Sequence, residues 1–216
     1  MEDTKKNTLI RVDDLTYGYE DDPVIKNLSL EVNAGEIVLI EGENGAGKTT
    51  LLKCMTGILN NCKSVFMDGK EISECKEELK NISFVMSEDF LYDYLTLREN
   101  VEFFKKLFDE DADFDKNIAF FVDKFGLGKY EDYLVKNLSQ GTRNKLYIAI
   151  MFSKHHKILV LDEPFTALDT ATQDAILDYV RGYTKLTDKA VIMVTHIAQF
   201  KEISTKRFLM KLRGEI

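Results

Sequence analysis

The sequence predicts an α/β fold: a mostly parallel sheet flanked by helices, with an α-helical subdomain inserted into it. Three observations lead there. The runs at residues 37–41, 158–161 and 190–195 are nearly continuous in Val, Ile and Leu, as parallel strands are when helices cover both faces of the sheet. Between about Leu97 and Phe152 the apolar residues change to helical spacing. A glycine-rich segment lies directly between the first of those continuous strands and a helical run at residues 51–55, the setting in which such a segment binds phosphate.

At 216 residues the chain suits one domain with a sizeable core. We read residues 1–216 as that domain, with residues 1–86 and 153–216 as the α/β core and 87–152 as the helical subdomain. Hydrophobic residues make up 44%, charged residues 31%, and there are only 2 prolines, which excludes collagenous, proline-rich and wholly disordered chains. Lys and Arg number 29 against 37 Asp and Glu, for a net charge of −8, and such a balance argues against a nucleic-acid partner. The first eight residues are polar and charged, and no apolar run approaches the ~18 residues of a membrane span. We therefore expect no membrane insertion and a cytoplasmic location. Cys54, Cys62 and Cys75 are odd in number and lack a C-x-x-C pair, so reduced thiols are expected rather than disulfides or zinc.

Taken in order, strands are expected at residues 9–12, 28–32, 37–41, 64–67, 82–86, 158–161 and 190–195, short β-prone runs followed by turn or helix-start signals. The helical subdomain is marked by Val101, Phe104 and Leu107–Phe108, then Ile118, Phe121 and Phe125, then Leu146, Ala149 and Phe152. The acidic stretch at 109–115 lacks the glycine and the glutamate of a calcium loop at the sixth and twelfth positions, and is expected to be a solvated loop between helices.

The most informative segment runs Gly42-Glu43-Asn44-Gly45-Ala46-Gly47-Lys48-Thr49-Thr50. It fits G-x-x-x-x-G-K-[ST]. Glycines let the backbone wrap with its N–H groups facing phosphate oxygens, and the following helix adds its positive end. Lys48 is expected to reach the β- and γ-phosphates and Thr49 to ligate Mg²⁺. The other carboxylates this chemistry needs stand together at the end of an apolar strand: Asp162 to hold Mg²⁺ and Glu163 to polarise the attacking water.

Leu138-Ser139-Gln140-Gly141-Thr142, ahead of the Asp162-Glu163 strand, is similar to the LSGGQ signature of the ATP-binding cassette (ABC) ATPases, and the resemblance covers about residues 10–216 in motif order. It implies a P-loop NTPase core with an antiparallel β N-terminal part, ATP and Mg²⁺ as cofactors, and nucleotide contacts from Gly42, Asn44, Gly45, Ala46, Gly47, Lys48, Thr49 and Thr50. It also implies that Ser139 and Gly141 bind the γ-phosphate held by a second nucleotide-binding subunit in a head-to-tail dimer. Tyr19 resembles the aromatic that stacks on adenine, with Tyr17 its neighbour and competitor. Asp169, in Thr166-Ala167-Leu168-Asp169, resembles the loop that communicates across the dimer, and His196 the switch histidine at the γ-phosphate. His155 and His156 have no counterpart in that pattern and are expected to face solvent.

Two departures stand out. Ser87 occupies the place of the family's glutamine, where its short side chain would contact the metal only through water, and Glu88 would substitute for it if the loop shifts by one residue. The signature carries Gln140 and Thr142 in place of glycine and glutamine. The resemblance implies an ATPase subunit that powers an ABC transporter from the inner face of the membrane, on separate transmembrane permease subunits. The aromatic run at residues 90–95 is read as part of the groove receiving them. The rivals are a soluble ABC ATPase of a cytosolic assembly complex, such as the iron-sulfur type, and an ATP-gated binding module with weak hydrolysis.

Overall fold

The computed structural model describes residues 7–19, 22–59, 62–165, 167–186 and 188–211; the first six residues, Thr166 and the final residues 212–216 of the reading above lie outside them. Among the described residues, a five-stranded parallel sheet is ordered β6 (Ile82–Val85), β7 (Ile158–Asp162), β8 (Ala190–Val194), β3 (Ile37–Glu41), β9 (Lys206–Leu209). Beside it lies a four-stranded antiparallel sheet, ordered β2 (Asp22–Asn33), β1 (Thr8–Tyr19), β4 (Val65–Met67), β5 (Lys70–Glu71).

Alternation along each parallel strand sends side chains to two cores. Val38, Ile40, Val160 and Ile192 join Leu51, Leu52 and Met55 of α1 (Lys48–Met55) and the inner face of the antiparallel sheet. Leu39, Leu159, Leu161, Val191 and Met193 join the helices of the opposite face. Both faces are therefore buried, which is why these strands read as unbroken apolar runs.

Between β6 and β7 the chain forms α2 (Leu97–Phe108), α3 (Ala112–Lys124) and α4 (Gln140–Ser153). Thr96 and Glu99 close a reciprocal capping box on α2, which satisfies N–H groups that the first turn of a helix leaves open. Phe104, Phe114, Phe121 and Phe152 weld the three helices to the sheet core. After β7 comes α5 (Thr170–Tyr183), and after β8 the short α6 (Ala198–Glu202). No helix among the described residues is long and apolar enough to cross a membrane.

Several expectations are corrected. His156 is buried, only 3% exposed and stacked on Tyr183 with ring centroids 5.1 Å apart, whereas His155 is exposed as expected. The first strand continues to Tyr19 through several register shifts. The acidic stretch is a loop only up to Asp111, whose side chain accepts from the Asp113 N–H and caps α3; the remaining acids sit in the first turn, where the helix dipole favours them. Strand β9 was not expected, because its edge position leaves alternate residues exposed and its sequence, Lys-Arg-Phe-Leu, is half charged. The three cysteines are unpaired and buried.

Candidate nucleotide-binding site

Parallel strands deliver their carboxyl ends to one edge of the sheet, where ligands bind in open α/β folds. Glu41 ends β3 there and the glycine-rich loop follows. Asp162 ends β7 opposite Val194 of β8, and the Glu163 N–H donates to the Val194 carbonyl at 3.0 Å.

The loop geometry depends on glycine. Gly47, just before α1, has φ +89°, and a Cβ there would meet Val24 Cγ1 at 2.8 Å. Glycine is the residue that adopts this conformation without steric cost. The Lys48 ammonium donates to the carbonyls of Gly42 at 2.8 Å and Glu43 at 2.9 Å, across the inside of the loop. Thr49 Oγ1 donates to Asp162 Oδ2 at 2.8 Å, tying the loop to the end of β7. Asp162 is buried, which pushes its pKa up, while the Thr49 hydroxyl pulls it back.

A cavity of about 310 Å³ opens over the loop, lined by Asn44, Gly45, Gly47, Lys48, Thr49, Thr50, Asp162 and Glu163, with Val24 and Val194. Ala46 is buried and lines neither this cavity nor the next. A second cavity of about 380 Å³ shares Lys48, Glu163 and Val194 and adds Gly42, His196, Glu41 and Lys201. His196 Nε2 lies 3.1 Å from Glu163 Oε1. Glu163 holds φ +52°, a left-handed backbone unusual for a residue with a Cβ.

These residues fit a nucleoside triphosphate and its metal. Thr49 and Asp162 place two oxygens side by side, and a desolvated carboxylate gains from a cation. Mg²⁺ is usually bound by one or two protein ligands together with substrate phosphates, and Thr49 and Asp162 would be those ligands here.

The remaining residues sit elsewhere. Tyr19 is exposed at the end of β1, its ring edge-on to Tyr17 at 5.8 Å, and the hairpin that carries it also brings Val24 to the cleft. Ser139 caps α4, accepting from the Thr142 N–H at 3.2 Å. Gly141 packs under Ala167, whose carbonyl oxygen would be 3.0 Å from any Cβ. Asp169 caps α5 through the Thr172 N–H and pairs with Lys145 of α4; that ion pair first, and the Thr172 N–H next, hold its pKa down to about 2. Ser139, Gly141 and Asp169 line neither cavity, and Ser87 is exposed just beyond β6 and lines neither. Glu41 and Lys201, paired at 3.3 Å in the second cavity, were missed by the sequence reading; the signal available was a charged residue ending an otherwise apolar strand.

An α/β sheet with a glycine-rich loop, a Thr–Asp pair and a Glu–His pair at its carboxyl edge defines a P-loop NTPase. The ABC transporter family model matches residues 25–166, and the chain belongs to that family as an ATP-binding domain with ATPase activity. It is 35% identical over 175 residues to the cytochrome c biogenesis ATP-binding export protein CcmA of Shewanella sp. (strain MR-7), covering 77% of this chain and 76% of that one. It is 28% identical over 225 residues to the phosphonates import ATP-binding protein PhnC of Fusobacterium nucleatum, covering 97% and 91%. An uncharacterized ABC transporter ATP-binding protein of Bacillus subtilis, YdbJ, is 31% identical over 195 residues; 89% of this chain matches and spans 63% of that protein's length. A solved ATP-binding subunit of an ABC transporter superposes with a TM-score of 0.85 at 21% identity, over 96% of this chain and 89% of that one, and shows the fold.

Proposed function

We propose that the chain is one of two ATP-hydrolysing subunits that close head to tail around two nucleotides and thereby drive separate transmembrane permease subunits from the cytoplasmic face. The observation that carries this reading is a division of labour. Lys48, Thr49, Asp162, Glu163 and His196 line two cavities that share Lys48 and Glu163, while Ser139 and Gly141, at the start of α4, line neither. A helix start capped by Ser139 suits an anion, and a second copy would supply it to the first copy's γ-phosphate.

In the closed site Lys48 and the loop N–H groups bind the phosphates, Tyr19 offers its face to adenine, and Glu163 takes up the proton of the attacking water while His196 orients the γ-phosphate. Mg²⁺ would be held by Thr49 and Asp162 and would supply neutralisation of phosphate charge. Asp169 orders the loop between the copies. The membrane subunits would dock where Phe90, Tyr92 and Tyr94 are exposed at 57%, 50% and 78%, an aromatic patch of the kind interfaces favour.

Affinity purification of the tagged chain from detergent-solubilised membranes of its own cell, with mass spectrometry and an ATPase assay on the eluate, tests this. A multi-span partner that co-purifies with ATPase activity is expected, and Tyr92→Glu should lose it. Recovery with a soluble partner alone would replace the transporter reading with the cytosolic-assembly one.

A further inference from the structure

The two loops that carry Glu163 and His196 leave neighbouring strand ends, and each runs on into a buried aromatic. Phe165 lies two residues after Glu163, and Phe200 lies four after His196, on α6. Their rings stack nearly parallel, with centroids 4.0 Å apart and an interplanar angle of 12°. Both are buried, at 1% and 0% exposure. The next residue, Lys201, pairs with Glu41, which leads into the phosphate loop. Consecutive residues of one short helix thus touch the loop after Glu163 and the strand end before Lys48.

We propose that Phe165 and Phe200 are positioning residues for ATP hydrolysis, a buried brace that sets the spacing of Glu163 and His196. The proposal rests on the roles given to Glu163 and His196 above. Ordinary core packing accounts for the burial of the two rings, but it does not require them to join these two loops in particular. Glu163 sits in a left-handed backbone one residue past the end of β7, and His196, 67% exposed at its side chain, lies two residues past the end of β8, so each lies outside a regular element. A displacement of about 1 Å in such a pair can cost on the order of 100-fold in rate. Two rings at this spacing are in van der Waals contact, which a linear side chain reproduces only in part.

The test is steady-state MgATP hydrolysis by Phe165→Met, Phe200→Met and the double variant, which keep apolar volume but remove the flat stack. Leu177→Ala serves as a core control on α5, and Glu163→Gln tests the underlying reading. Each brace variant should lower kcat about 10-fold with the KM for ATP within about twofold. The double variant should be no more than about twofold worse than the poorer single, because one contact is removed either way. Leu177→Ala should lower Tm while keeping kcat. Unchanged kcat in folded Met variants, or a kcat loss in Leu177→Ala as large as theirs at a similar fall in Tm, overturns the brace while Glu163→Gln remains inactive. Turnover retained by Glu163→Gln instead overturns the assignment on which the brace rests. If a Met variant fails to fold, Phe165→Leu and Phe200→Leu provide the same comparison, and full kcat in either refutes the proposal.

Discussion

Arg143 grips Asp89 with two prongs: its Nε donates to Oδ2 at 2.7 Å and its Nη2 to Oδ1 at 2.8 Å. Asp93 closes the other side of the same guanidinium. One turn into α4, three residues after Gln140, Arg143 thus ties the helix that Ser139 caps to the loop bearing the exposed aromatics. The Asp89 side chain is only 7% exposed, so the pair is desolvated on one side, and the two carboxylates raise the pKa of the guanidinium further.

Arg143→Ala should therefore lower stability by about 3 kcal/mol, chiefly because Asp89 is left buried without its counter-charge. Arg143→Lys keeps the charge but loses the fork, and its denaturant midpoint should fall between those of the wild type and the alanine variant. Equal midpoints for all three would remove the clamp from the account of the subdomain's stability.

Glu163→Gln should cut ATP turnover by about 100-fold or more, the range expected when a general base is lost. Binding of ATP should survive, since Lys48 and the loop N–H groups are untouched. Equilibrium binding of a fluorescent ATP analogue alongside phosphate release separates the two effects, and turnover within tenfold of wild type would end the role given to Glu163.

Gly47→Ala should abolish nucleotide binding. The substitution places a Cβ in a left-handed backbone, 2.8 Å from Val24 Cγ1, so either the loop or the hairpin must move. The far-UV circular dichroism spectrum should stay that of the wild type, and retained ATP affinity would show that the loop can relax around the methyl group.

His156 predicts an acid-sensitive fold. Burial pushes its pKa down from 6.5 to about 3; the Lys154 carbonyl pulls the other way, and the charges of Lys189, Lys154 and His155 add to the depression. Between those two pH values the unfolded chain binds a proton that the folded chain refuses, so stability falls as pH drops through this window and is flat above it. The full loss is on the order of 5 kcal/mol. Urea midpoints measured from pH 7.5 to pH 4.5 should fall more steeply for the wild type than for His156→Phe, whose ring can still stack on Tyr183. Parallel profiles would place the acid sensitivity in other groups.

The sequence was most legible where one physical demand dominates. Ile37–Glu41 could be read as a buried parallel strand because both its faces need apolar side chains, and the closeness of Thr49 to Asp162 because both were expected where parallel strands end. Legibility failed where context decides. Nothing in the local pattern separates His155 from His156; only the neighbouring Tyr183 ring does. Edge strand β9 has one open side and so carries no apolar run. The Glu41–Lys201 and Phe165–Phe200 contacts join segments far apart in the chain, and no spacing rule connects them.

With the role proposed for Glu163, its left-handed backbone sets robustness against reactivity at a single position. A side chain there stores about 1–3 kcal/mol of strain, which glycine would release. Glu163→Gly is thus expected to melt later than its parent and to lose about 100-fold or more in turnover. A screen for heat resistance alone would enrich that lesion, so any effort to harden this protein has to score turnover in the same round.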